Sequence, residues 1–152
     1  MKQTVPSFLQ PGDTIGISAT ARFATTESLA IAKRVIEAEG FQCYYSPDIS
    51  VQQQQVAGTV AERVQHFNAL IHNPDIKAIW NVRGGYGSAE IVDLVDWGAL
   101  VAQPKWLIGF SDFTTFLCHG IQKGIATLHA PMPISFSITH PDALTATFDV
   151  LR

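Results

Sequence analysis

Hydrophobic and polar positions follow two different periods along this chain. Short apolar runs bounded by turn residues predict five strands, at residues 13–20, 41–45, 76–82, 105–109 and 125–129. Elsewhere apolar residues recur every three or four positions, which predicts helices over 25–40, 58–72, 88–95, 96–102, 113–124 and 140–152. Strands that alternate with helices are typical of a parallel sheet covered by helices. We therefore expect an α/β fold, Rossmann-like or flavodoxin-like, with a mostly parallel sheet, helices on both faces and three layers.

Local signals mark where several of these elements begin and end. Thr25 or Thr26 can cap the first helix, and Gly40 can end it. The polar stretch V-Q-Q-Q-Q at 51–55 has no cap or helical spacing and predicts a mobile surface loop. The sequence stops at Arg152 inside an apolar-periodic segment, which we interpret as a truncation or a domain boundary, or else as a terminus that frays.

Composition changes this picture in one respect. The 152 residues suffice for one domain with a hydrophobic core, but only 15% of them are charged, against about 25% in typical globular chains. The low charge suggests extra buried surface against another domain or subunit. A net charge of -3 without a Lys/Arg cluster argues against nucleic acid or a membrane as a partner. The start lacks a secretory signal and no membrane span is evident, so we expect a cytoplasmic protein.

Three unusual loops follow predicted strands. They are R-G-G-Y-G-S at 83–88, G-F-S-D at 109–112 and H-A-P-M at 129–132. Binding sites of open α/β sheets lie beyond the carboxyl ends of the strands. The three loops should therefore meet at one edge of the sheet, and that convergence is the main functional signal of the sequence.

Ser111 lies between a buried strand and a helix, which allows two interpretations. A serine there resembles a nucleophile elbow, in which the turn lifts the hydroxyl above the sheet and the helix N-terminus stabilises an oxyanion. The match to G-x-S-x-G is incomplete, because Phe113 replaces the second glycine. Alternatively Ser111 caps the helix and Asp112 complements its dipole; on this stretch alone the cap is the commoner case.

The glycine loop and His129 also allow two interpretations each. A glycine N–H in 83–88 can serve as a second oxyanion donor, or the loop can be only a tight turn. Its spacing matches neither a dinucleotide fingerprint nor a P-loop. His129 can line the cleft, or be buried and satisfied by backbone. His119 lies eight residues after Ser111, about 12 Å along a helix, and is too far to act as its base. No metal-ligand spacing is present, so we expect no metal and no cofactor.

These loops, in this order, resemble the serine LD-carboxypeptidase family, which includes muramoyltetrapeptide carboxypeptidases and microcin C self-immunity peptidases. The segments L-Q-P-G-D-T-I-G-I-S and E-A-E-G-F-Q-C match as well. Two departures stand out. Ala19-Thr20 replaces the usual Pro-Ser after the first strand, and Ala130 replaces the glycine of the usual H-G-P-M. Neither departure affects the nucleophile.

The resemblance implies that residues 1–152 form the N-terminal, nucleophile-bearing domain of a two-domain enzyme. Ser111 then matches the nucleophile, and the backbone N–H groups of Asp112 and Gly85 match the oxyanion hole. The family's Glu and His come from a C-terminal domain that this chain lacks, so the isolated chain should be nearly inactive. The substrate would be a murein peptide, and a homodimer is one implied assembly. We expect substrate contacts from Arg83, Gly84, Tyr86 and His129, with Arg83 as one candidate for a substrate carboxylate.

One rival needs no catalysis. A flavodoxin-like module can hold a phosphate or carboxylate at the helix N-termini near Ser88 and Ser111 without chemistry.

Overall fold

A single parallel sheet organises the computed structural model, which describes residues 3–50 and 52–152. Its strands are β1 (Thr14–Ser18), β2 (Gln42–Tyr44), β3 (Ile76–Asn81), β4 (Trp106–Gly109) and β5 (Leu128–His129). They lie in the order β2-β1-β3-β4-β5, and every pairing is parallel. The chain builds β2 on one side of β1 and then crosses back to build β3 on the other. The topological switch point, where such folds bind ligands, therefore lies between β1 and β3.

Six helices cover the sheet in the described residues. They are α1 (Thr26–Ala38), α2 (Val60–His72), α3 (Ser88–Ile91), α4 (Trp97–Ala102), α5 (Thr114–Gln122) and α6 (Pro141–Leu151). Short 3-10 turns occur at Pro47–Ser50, Val92–Leu94, Ser111–Phe113 and Pro133–Ser135. No helix among these residues has the length and apolar character needed to cross a bilayer.

Side chains alternate across the sheet and create two cores. Trp80 packs with α1 and α6 on one face, whereas its neighbour Ile79 packs with α2 and α5 on the other. In β4, Ile108 and Leu107 divide in the same way. This alternation follows from the two-residue period of a strand. The predicted three-layer α/β fold with helices on both faces is confirmed.

Threonine caps begin the first two helices, and the sequence predicted the first of them. Thr25, rather than Thr26, caps α1, and a capping box joins it to Ser28. Thr59 and Glu62 form a second capping box at the start of α2. α1 ends at Ala38, close to Gly40 as expected.

Two predicted segments differ from the structure. The fifth strand, predicted over 125–129, is only Leu128–His129, because Ile125 instead bridges Thr4 near the N-terminus. The helix predicted over 88–95 divides into α3 and a 3-10 turn. Residues 52–55 of the predicted surface loop are exposed and irregular. Gln53 forms an isolated antiparallel bridge with Val56, which follows the loop; Val51, like Met1 and Lys2, lies outside the described residues.

Candidate active site

Ser111 occupies a strained turn at the carboxyl end of β4. Its φ is +58°, in the left-handed region that residues other than glycine rarely adopt. Such backbone strain costs about 1–3 kcal/mol and persists where the surroundings enforce it. Here the fully buried Phe113 ring folds back under the turn. A Cβ on Gly109 would lie 2.7 Å from that ring, so Gly109 makes the turn possible.

The structure does not support Ser111 as a helix cap. Ser111 is the first residue of the 3-10 turn that leads into α5, and Phe110 occupies the cap position without a side-chain hydrogen bond. Among the described residues, the Ser111 hydroxyl makes no hydrogen bond, and its residue is exposed. The hydroxyl is therefore accessible from the edge of the sheet where the strands end.

Asp112 caps a helix, but not the helix that follows it. Its Oδ2 accepts a hydrogen bond of 3.0 Å from the backbone N–H of Ser88, the first residue of α3. The carboxylate thus joins the turn after β4 to the glycine loop after β3. Asp112 therefore does more than complement the dipole of its own helix, because it also caps α3.

The glycine loop lies directly against the serine. A Cβ on Gly84 would lie 2.8 Å from Ser111 Oγ and 3.4 Å from the Asp112 nitrogen, so only glycine leaves room for the hydroxyl. Gly85 follows with a φ of +138°. Its N–H has no acceptor within the described part of the chain, and the N–H of Asp112 has no partner inside its helical turn. Two free N–H groups and one hydroxyl are therefore available at the same edge.

A buried polar network, which the sequence alone did not reveal, holds the loops after β1 and β3 together. Asn81 is fully buried, and its Oδ1 accepts hydrogen bonds from the Ser18 hydroxyl and from both the N–H and the hydroxyl of Thr20. Its Nδ2 donates to the Arg83 carbonyl at 2.7 Å. An amide inside the apolar run I-K-A-I-W-N-V was the available signal, because a buried polar side chain needs partners.

Arg63 adds a second connection between these loops. It lies on the apolar face of α2, 3% exposed, and its Nη1 donates to the carbonyls of Thr20 and Gly87, each at 2.9 Å. Its Nη2 reaches the Glu90 carboxylate at 2.6 Å. The position of a charged residue four before the buried Phe67 could have signalled this role.

His129 and Tyr86 are both exposed, so the buried interpretation of His129 was wrong. The His129 ring stands edge-on to Phe110, with centroids 6.1 Å apart. His129 and Phe110 line an open cleft, together with Ala130, Pro131, Ser135 and Thr139. Tyr86, 83% exposed, extends from the glycine loop.

Two other histidines, His119 and His72, have partners away from Ser111. The His119 ring stacks on Trp97, with centroids 4.6 Å apart, and faces Asp93. His72 pairs with Asp96 at 3.2 Å. Within residues 3–50 and 52–152, no group of three or more His, Cys, Asp or Glu side chains is arranged to hold a metal ion.

Comparison with known proteins defines the class. The model of the LD-carboxypeptidase N-terminal domain matches residues 15–130. The chain is 31% identical over 126 residues to the murein tetrapeptide carboxypeptidase of Pseudomonas aeruginosa, covering 82% of the chain and 41% of that protein. It is 33% identical over 157 residues to the microcin C7 self-immunity protein MccF of Escherichia coli, covering 98% of the chain and 45% of that protein.

A solved structure agrees with these relatives. MccF in complex with aspartyl sulfamoyl adenosine superposes with a TM-score of 0.88 at 29% identity, covering 97% of this chain and 47% of that one. The protein is thus an α/β domain of the peptidase class. It belongs to the LD-carboxypeptidase family, in the part that the N-terminal domain represents. The chain spans less than half the length of both relatives and of the solved MccF chain.

Proposed function

We propose that this chain is the nucleophile-bearing domain of a serine LD-carboxypeptidase that releases the terminal D-alanine from murein tetrapeptides in the cytoplasm. The observation that supports the proposal most is the strained Ser111, whose hydroxyl is exposed and lies against Gly84. A positive φ at a non-glycine residue is costly, and such strain is concentrated at functional sites. The family membership gives the reaction class.

In the proposed reaction, Ser111 Oγ attacks the carbonyl carbon of the amide between the L-configured centre of the diamino acid and D-alanine. A histidine from the remainder of the protein takes the hydroxyl proton. The backbone N–H groups of Gly85 and Asp112 stabilise the oxyanion, and one such donor contributes about 10²–10³-fold in rate. The protonated histidine then gives its proton to the leaving amine of D-alanine, and water hydrolyses the acyl-enzyme.

The experiment is hydrolysis of a murein tetrapeptide by the complete protein, followed as release of free D-alanine. Ser111→Ala should lower kcat/KM by about 10³-fold or more, because the remaining catalysis comes only from binding and the oxyanion donors. Ser7→Ala is the matched control, since Ser7 is exposed beside the amino ends of β3 and β4. Activity in Ser111→Ala equal to that of the control would refute the proposal.

The isolated chain gives a second test. Because no histidine of the described residues is hydrogen-bonded to the Ser111 hydroxyl, a fluorophosphonate should label this serine slowly in the isolated chain and rapidly in the complete protein. Rapid labelling of the isolated chain would contradict the claim that the base comes from elsewhere.

A self-immunity peptidase is the second candidate, favoured by the 33% identity to MccF over nearly the whole chain. Aspartyl sulfamoyl adenosine and the murein tetrapeptide should be compared as substrates of the complete protein. Cleavage of the first alone would favour the self-immunity peptidase. Cleavage of neither would favour a non-catalytic module that binds a small anion.

A further inference from the structure

Two arginines face each other at the topological switch point of the sheet. Arg22 belongs to the loop after β1, and Arg83 belongs to the loop after β3, which is the neighbouring strand. Both side chains line one pocket with Phe23, Gln52, Gln54 and Gln55. In open α/β sheets the crevice at this point is the usual ligand site.

The two guanidinium groups form no salt bridge within residues 3–50 and 52–152. Within the described residues, neither Arg22 nor Arg83 pairs with a carboxylate, although Arg63 and Arg152 do. Burial, and secondarily the positive charge of Arg22, lowers the pKa of Arg83. Like charges held together at a partly buried site repel each other, and a bound anion relieves that repulsion.

The two loops that carry the arginines are joined to each other by hydrogen bonds. The Asn81 side chain joins Thr20 to the Arg83 carbonyl, and Arg63 joins the Thr20 carbonyl to Gly87. These bonds fix the distance between the two loops. The Arg22 guanidinium also donates to the Gln55 side chain, which orients it. A preorganised site loses less entropy when a ligand binds.

The stem of Arg22 also lies near the proposed nucleophile. A Cβ on Gly85 would lie 2.6 Å from Arg22 Cγ, and a Cβ on Gly84 would lie 2.8 Å from Ser111 Oγ. The arginine stem and the serine hydroxyl therefore contact adjacent residues, whose Cα atoms are about 3.8 Å apart. In a carboxypeptidase substrate, the terminal carboxylate is likewise only one residue away from the scissile amide.

We propose that Arg22 and Arg83 together bind the free C-terminal carboxylate of the substrate and thereby restrict the enzyme to terminal residues. This assignment rests on the proposed function for its substrate, and it adds Arg22, which lies outside the family-like loops. Guanidinium groups suit carboxylates because their N–H donors match the two oxygens. A peptide amide at the same position brings no negative charge, so an internal peptide bond is not selected.

The experiment is a titration of the ¹⁵N-labelled chain, read by the amide signal of Gly85 and the side-chain Nε–H signals of both arginines. The ligands are N-acetyl-D-alanine and its neutral analogue N-acetyl-D-alaninamide. We expect saturable shifts with the carboxylate only, weakened by added salt. Arg22→Gln and Arg83→Gln should each raise Kd about tenfold or more, the effect of losing one charge-assisted hydrogen bond.

Arg34→Gln is the matched control, because Arg34 is exposed on α1 and carries the same charge. Equal shifts with the acid and the amide would overturn the proposal, as would an equal loss of affinity in the Arg34 variant. Binding of inorganic phosphate without binding of N-acetyl-D-alanine would overturn it too, in favour of a phosphate site. Ser111→Ala should bind the carboxylate normally. Failure of hydrolysis with intact binding would therefore refute the proposed function and leave the carboxylate site standing.

Discussion

Arg63 gives the sharpest test of how the site is held together. In Arg63→Met the side-chain volume is largely kept, but three hydrogen bonds are lost. The Thr20 carbonyl loses its donor inside the protein, which costs about 1–3 kcal/mol. The Gly87 carbonyl keeps its hydrogen bond from the Glu90 N–H, so the loss of its bond from Arg63 costs only about 1 kcal/mol.

Two smaller effects act on the same substitution. The Glu90 side chain is 59% exposed, so water replaces its partner at little cost. The Arg63 Nε is buried without a partner among the described residues, so removing it recovers part of the loss. We therefore expect Arg63→Met to lower the free energy of unfolding by about 3 kcal/mol, taking the two carbonyl costs together.

Urea unfolding followed by tryptophan fluorescence measures this change. With an m-value of about 2 kcal/mol/M, the midpoint should fall by about 1.5 M. Lys33→Met is the control, because it also removes a helical cation paired with a glutamate, but both side chains of its 3.9 Å pair are about half exposed. The control should change stability by about 0.5 kcal/mol or less. A midpoint shift for Arg63→Met no larger than that of the control would refute the reasoning.

Three further predictions concern Gly84, Lys105 and the two cysteines. In Gly84→Ala the added Cβ would lie 2.8 Å from Ser111 Oγ and displace the hydroxyl. The substitution should lower kcat/KM of the complete peptidase by about 100-fold, the usual effect of misplacing a reacting group by about 1 Å. Unchanged activity would mean that the hydroxyl position is unimportant. Burial lowers the pKa of Lys105 to about 8 in the folded state, whereas the unfolded value is about 10.4. Between these pH values the unfolded state binds more protons, so the stability of the wild type relative to Lys105→Met should rise with pH. A stability difference that does not change with pH would contradict this. Burial raises the pKa of the Cys43 thiol to about 12, so at pH 8 a disulfide reagent should modify the exposed Cys118 first; equal rates would contradict the prediction.

Much of the fold was predictable because its signals are local. The cap at Thr25 and the capping box at Thr59 involve residues three apart in sequence. The short β5 was not predictable in this way, since Ile125 pairs with Thr4 from the other end of the chain. A single sequence does not show with which distant segment the backbone N–H and C=O groups of a strand will form hydrogen bonds.

The residues of the candidate site also differ in whether their signals are local in sequence. Ser111 and the glycine loop were candidates from the sequence alone because serine and glycine in such turns have recognisable chemistry. Arg63 and Asn81 were missed, since their partners lie 43 and 61 residues away in sequence. Arg22, part of the proposed carboxylate site, was not a candidate from the sequence, because the strand order brings it beside Arg83.

The left-handed backbone of Ser111 has a consequence for how this chain can drift under selection. Glycine adopts that conformation without strain, so the folded state alone would favour Ser111→Gly, or asparagine as the next best fit. A population selected only for stability should therefore discard the serine early. Lineages in which the hydroxyl has lost its use should show glycine or asparagine at this turn while Gly84 and Gly109 remain, which would make residue 111 a marker of whether the chemistry is still required.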